Sequence, residues 1–136
     1  MKYSDQKPPN WDKLVRLFGV DWKNTVVTYG ATVHSSRSLS PDLEVHEAQH
    51  VRQQAAMGVE AWWLRYYEDR DFRLEQELEA YRAQFQFFKK ATKDRNLLFR
   101  FQDRIARDLA SLQYGNCVNY GEAFRMIAQT PKAVAA

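Results

Sequence analysis

The sequence predicts an α+β domain that is predominantly helical, with a small β element set just ahead of a central helix. Three observations predict it. After residue 58, apolar residues recur every three or four positions, the spacing of one helix face. The β-forming residues Val26, Val27, Thr28, Tyr29, Thr32 and Val33 fall in one short region. Between these regions, Ser40-Pro41 and Gly58 bracket a run with no internal Gly or Pro.

The elements follow in order. Residues 1–10 read as a loose lead-in closed by Pro8-Pro9. Trp11 to Phe18 forms a short helix with Trp11, Leu14, Val15 and Phe18 on one face, and Gly19 ends it. The stretch Asn24 to Ser36 is either a hairpin or one long strand bent at Gly30. A polar loop, Ser35 to Ser40, leads into the central helix. There Ser40 is placed to cap, Pro41 suits the first turn, and Asp42 and Glu44 put negative charge where the helix dipole favours it. The aromatic run Val59 to Tyr67 is a core-covering helix, with a substrate wall as the alternative. Arg70 to Ala91 carries the stripe Leu74, Leu78, Tyr81, Phe85 and Phe88. Asn96 to Leu112 carries Leu97, Phe101, Ile105, Leu109 and Leu112. Tyr114-Gly115-Asn116 is a turn, Tyr120 to Ala128 a last short helix, and residues 131–136 a frayed tail. One domain over residues 1–136 is expected.

Composition narrows the function classes. At 45% hydrophobic and 27% charged residues the chain can bury a core and stay in water. No run approaches the ~18 apolar residues of a membrane span, and the N-terminal residues hold no apolar signal-peptide core. The single cysteine, Cys117, allows no internal disulfide, so a cytoplasmic setting is expected. The net charge of +3 favours an anionic partner only weakly, because basic residues alternate with acids, as in Asp69-Arg70-Asp71. A nucleic-acid partner is therefore not expected.

The central helix carries the chemistry. His46-Glu47-Ala48-Gln49-His50 uses two of the three histidines in the chain. Four residues apart on a helix, His46 and His50 aim their rings at one point, half of a tetrahedral Zn2+ site. Glu47, one step round, can reach a water on such a metal and act as general base. The alternative is a solvated helix carrying two histidines by chance.

A catalytic zinc site needs a further protein ligand. His34 and Cys117 have the right chemistry but no supporting pattern. Glu77 is the stronger candidate. At about 100° per residue it lies roughly 60° from Leu74 and 40° from Tyr81, at the edge of an apolar stripe, whereas Glu75 and Glu79 fall on the far side. A carboxylate facing the interior needs a partner, and a metal would supply one. The competing partner is Arg73, four residues earlier on the same helix.

His46-Glu47-Ala48-Gln49-His50 followed by Glu77-Leu78-Glu79-Ala80 resembles the small gluzincins, zinc metallopeptidases with His-Glu-x-x-His on one helix and Glu-x-x-Ala on the next. The short length and Val51-Arg52-Gln53-Gln54 after His50 are similar to zincin-like metallopeptidases encoded by phages and prophages. The resemblance covers about residues 25 to 90. It implies a minimal zincin-like domain, zinc held by His46, His50 and Glu77, and Glu47 as catalytic base on a protein or peptide substrate. Relatives often carry Asp just after the Ala, supporting a zinc histidine, whereas this chain has Tyr81. Relatives also usually have uncharged residues where Glu44 and Arg52 stand. Tyr114, Tyr120 and His34 have the chemistry to hold an oxyanion. The strand around residues 30–34 is expected to offer an edge to an extended peptide. Two other readings are a zincin-like metal-binding module without catalysis, acting on a partner, and a basic helical nucleic-acid binder.

Overall fold

The computed structural model describes residues 1–111 and 118–129. Its elements are β1 (Lys2–Ser4), α1 (Trp11–Phe18), a 3₁₀ turn (Trp22–Asn24), β2 (Val27–Tyr29), β3 (Thr32–His34), α2 (Pro41–Met57), α3 (Val59–Glu68), α4 (Arg70–Ala91), α5 (Arg95–Leu109) and α6 (Tyr120–Ile127). The fold is α+β and predominantly helical, with a three-stranded sheet ahead of the central helix. The predicted turn at Tyr114–Asn116 and the tail from 131 lie outside the described residues, as do Leu112 and Cys117.

Of the two readings of the β region, the hairpin is correct. Gly30 turns the chain with φ +64°, a backbone angle that side chains with a Cβ rarely adopt, and β2 pairs antiparallel with β3. The lead-in is not wholly loose, because β1 adds parallel to the other side of β3. Backbone bonds hold it, Lys2 N–H to the Ala31 carbonyl at 2.8 Å and Ser35 N–H to the Ser4 carbonyl at 3.0 Å. Lys2 and Tyr3 are exposed, so no apolar alternation announces this strand. The sheet order β1-β3-β2 makes β3 the central strand. The peptide-binding edge expected at residues 30–34 is therefore already paired on both sides.

Two apolar clusters flank the middle of the molecule. One joins Trp11 and Leu14 of α1, Val27 of β2, Trp62, Trp63 and Tyr66 of α3 and Phe72 of α4. The other joins Leu78, Tyr81 and Phe85 of α4 to Phe101, Ile105 and Leu109 of α5 and Ala123 and Ile127 of α6. Two members of the predicted stripes stay outside these clusters. Val15 and Leu97 are each 40% exposed. Leu97 lies in the first turn of α5, and the packed stripe begins one turn on, at Phe101.

Helix α2 lies between the clusters, packed on α4, α3 and β2. Ser40 occupies the N-cap position, yet its hydroxyl makes no capping bond. Gly58, at φ +98°, ends the helix and starts α3 directly. Every side chain that α2 buries is polar: His46, Glu47, Gln49, His50 and Gln54. Burying polar groups costs free energy unless each finds a partner. Gln54, in one row with His46 and His50, shows how the cost is met. It accepts from Gly30 N–H at 2.7 Å and donates to the Thr28 carbonyl at 2.8 Å, locking the hairpin onto α2. Replacing Gln54 by Leu would leave two backbone groups unpaired in the interior. The expected loss is about 2–4 kcal/mol of stability, read from urea melts, with unchanged melts counting against this role.

Candidate metal centre

Helices α2 and α4 bring His46, His50 and Glu77 to one point. The His46 and His50 Nε2 atoms are 3.2 Å apart. Glu77 Oε1 lies 3.3 Å from the first and 3.0 Å from the second. Metal bonds of 2.0–2.1 Å in a tetrahedron place ligand atoms about 3.3 Å apart. The three donors thus already form one face of such a tetrahedron. All three residues are buried, at 5% relative exposure each.

Glu47 is beside them, 3% exposed, and its Oε2 has no hydrogen-bond partner among the described residues. Donor atoms of His46, Glu47 and His50 lie within 4.8 Å of one another, close enough to hold a metal ion. Two carboxylates therefore flank the imidazole pair, and they are held differently. Glu77 places one oxygen on both histidines and takes the Tyr66 hydroxyl on the other at 2.6 Å. Arg73, the alternative partner, gives its Nη1 to the Tyr66 carbonyl at 2.6 Å.

The far sides of the imidazoles are also fixed. His46 Nδ1 meets Gln84 Oε1 at 3.0 Å, and Gln84 passes its amide N–H to Asp42 at 2.8 Å. His50 Nδ1 meets Gln53 Oε1 at 2.8 Å, and Gln53 donates to the Gln76 carbonyl at 3.1 Å. Amide oxygens can only accept, so each Nδ1 carries its proton and, in the neutral ring, Nε2 keeps a free lone pair for a metal. Trp62 Nε1 donates to Gln76 Oε1 at 2.8 Å, which anchors the turn next to Glu77. Tyr81, at the position where the small gluzincins often carry Asp, packs its ring edge-on to His46 at 4.4 Å between centroids. The supporting hydrogen bond comes from Gln84 instead. It lies seven residues after Glu77, two helical turns on and on the same face. That spacing is a signal from which it was readable.

The site's charges follow from burial and proximity. Burial works against a charged His50, but the adjoining Glu77 carboxylate outweighs it and raises His50 to about 9. Burial likewise works to raise Glu77, but the His50 charge and the hydrogen bonds from both histidines hold it well below the usual carboxylate range. Glu47 goes the other way, since burial raises it and the imidazole charges offset this only in part. Burial and the Glu77 carboxylate push the Tyr66 hydroxyl far up, so it stays a donor.

Two cavities meet at the cluster. One, of about 80 Å³, runs from His46, Glu47, His50 and Glu77 to Trp62, Trp63, Phe18 and Val20. The other, of about 580 Å³, is polar and includes Arg37, Asp42, Tyr81, Gln84, Arg104 and Asp108. Both include Thr25, Val26, His46 and Glu47, so His46 and Glu47 stand at their junction. The other predicted site residues are not brought here. His34 sits on β3 with Nδ1 2.9 Å from the Gln6 carbonyl, and Tyr120 donates to Asp103 from α6. Neither lines either cavity. Tyr114 lies outside the described residues.

The fold and site define a mostly helical α+β chain with a buried His-Glu-x-x-His cluster able to hold a metal ion. Comparison with protein-family models, curated proteins and solved structures returns no match. Among the described residues no helix is long and apolar enough to cross a membrane.

The amide contacts to Nδ1 carry a quantitative expectation. Losing a partner of this kind typically weakens metal binding about 10–100-fold. Gln84→Leu is expected to weaken zinc binding by that factor in a chelator competition. Equal affinities for wild type and Gln84→Leu would remove Gln84 from the site.

Proposed function

We propose that the chain is a zinc-dependent metallopeptidase. The observation that supports this best is the convergence of His46, His50 and Glu77 on one point beside the unpaired carboxylate oxygen of Glu47. His46, His50 and Glu77 would hold the ion. When bound, the ion polarises a substrate carbonyl and lowers the pKa of a water at the open position.

The chain's own residues then do the rest. Glu47, buried and with a raised pKa, takes a proton from the attacking water. The water oxygen forms the new bond to the carbonyl carbon as the amide C–N bond breaks, and Glu47 returns the proton to the leaving amine. Gln84 and Gln53 keep the imidazoles in the tautomer that leaves Nε2 available. Tyr66 holds the second oxygen of Glu77, fixing the carboxylate's orientation. The polar cavity of about 580 Å³ provides room for a peptide, with Arg37 and Arg104 as its positive charges. Val26 lines both cavities and precedes β2, an edge strand of the sheet.

The test combines metal analysis with a screen of peptide hydrolysis. About one zinc per chain and cleavage that disappears in Glu47→Gln support a peptidase. Zinc retention without cleavage of any peptide or protein would instead make the chain a metal-binding module that acts through a partner. A chain that takes up no metal on reconstitution sinks both readings.

A further inference from the structure

Among the described residues, four buried side-chain polar atoms lack a hydrogen-bond partner: Asn10 Oδ1, Thr28 Oγ1, Glu47 Oε2 and Trp63 Nε1. Three of these four residues, Thr28, Glu47 and Trp63, line the cavity of about 80 Å³ beside the cluster. Its other walls are mainly apolar, from Leu14, Phe18, Val20, Val27 and Trp62. Glu47 is accounted for by its role as base. Thr28 and Trp63 are not, and neither the metal ligands nor their supporting amides need them. They are 3% and 7% exposed, and a buried unpaired donor or acceptor costs about 1–3 kcal/mol. An apolar cavity can stay empty, but one bearing polar groups holds either water or a ligand group.

Resting on the metallopeptidase reading, we propose that this cavity binds a substrate side chain, and that the side chain is a neutral primary amide, glutamine or asparagine. The indole N–H of Trp63 can only donate, whereas the Thr28 hydroxyl can donate and accept. An amide matches this pair, its carbonyl accepting from Trp63 and its NH₂ donating to Thr28 Oγ1. A cationic side chain leaves the Trp63 donor unpaired. An anionic one is placed against the Glu47 and Glu77 carboxylates that line the same space. A purely aliphatic one leaves both Trp63 and Thr28 unpaired. A site built to hydrogen-bond its substrate discriminates most strongly against analogues that lack the polar group. The volume suits the assignment, since one water needs only about 10–15 Å³, so several heavy atoms fit.

The first arm of the test uses the full chain without metal. The four tryptophans give four indole N–H signals in a ¹⁵N correlation spectrum, and Trp63→Phe identifies the Trp63 signal. Propionamide is expected to move that signal saturably, with sodium propionate and propylammonium chloride leaving it in place. Thr28→Val should weaken the propionamide effect about tenfold, the loss of about one hydrogen bond. A Trp63 signal that ignores propionamide, or responds alike to all three probes, overturns the proposal.

The second arm uses the zinc-loaded chain with two peptide hydroxamates that differ only in carrying a glutamine or a norleucine side chain. The glutamine compound should bind about tenfold tighter by calorimetry, and Trp63→Phe or Thr28→Val should abolish the preference. Equal binding of both hydroxamates sinks the amide pocket and leaves the metal reading standing. Failure of both to bind, with the propionamide shift intact, sinks the metal reading and leaves the pocket.

Discussion

Glu47→Gln is expected to abolish peptide hydrolysis while leaving zinc in place. The substitution keeps the shape of the side chain and removes only its ability to take a proton. General-base catalysis contributes about 10²–10⁴ in rate, so cleavage should fall by at least that factor. Stability should move the other way or not at all. Burial raises Glu47, so the folded chain holds this carboxylate at a cost, and one of its oxygens has no partner. A neutral amide removes the charge from that environment. The melting temperature of Glu47→Gln should therefore match or exceed that of the wild type. Such a trade is expected where a group is kept for chemistry rather than for packing. Loss of zinc together with activity would mean that Glu47 is a ligand, and the assigned roles would have to change.

Part of this site is legible in the sequence because its parts are local. His46 and His50 are four residues apart on a helix bounded by Ser40-Pro41 and Gly58, so spacing alone orients them. Glu77 is 27 residues further on, but its angle against the Leu74–Tyr81 stripe turns it inward. The supporting residues are harder to read. Tyr66 sits in a run where Trp62, Trp63, Tyr66 and Tyr67 are all aromatic, and only the packing of α3 on α4 decides which one reaches Glu77. Gln84 reaches His46 across 38 residues of sequence, although its two-turn spacing from Glu77 was a usable signal. The fold divides in the same way. Helix limits near Gly19, Gly58 and Asp69 follow local chemistry, and Asp69 caps α4 by accepting from Phe72 N–H. Strand β1 has no local signature, because its ladder partner is β3, far along the sequence.

The second large effect belongs to Glu77→Ala, and it has a metal-bound and a metal-free side. With zinc, the substitution removes a charged ligand and leaves two imidazoles. The loss of affinity should exceed the roughly 100-fold that a missing supporting partner can cost. Without zinc, Glu77 is the partner of two histidines and a tyrosine hydroxyl, so its removal takes a partner from three buried groups. Each costs on the order of 1–3 kcal/mol. The pH dependence then separates this account from simple damage. His50 is raised from 6.5 to about 9 in the metal-free chain, chiefly by Glu77 acting against burial. A raised pKa stabilises the folded state fully below the unfolded value and loses that contribution as pH rises through the folded value. Metal-free wild type should therefore lose stability between pH 6.5 and about 9, by on the order of 3 kcal/mol for a shift of this size. Glu77 itself is lowered from 4.5, so its contribution is present above that value and lost as pH falls further. In Glu77→Ala the alkaline slope should vanish, and zinc, which is expected to raise the melting temperature of the wild type, should no longer do so. Thermal melts in EDTA and in excess zinc, at pH 6 and pH 9, measure both. An alkaline slope that survives in Glu77→Ala, with zinc still stabilising that variant but not Glu47→Gln, would exchange the two carboxylates: Glu47 would hold the metal and Glu77 would only support it.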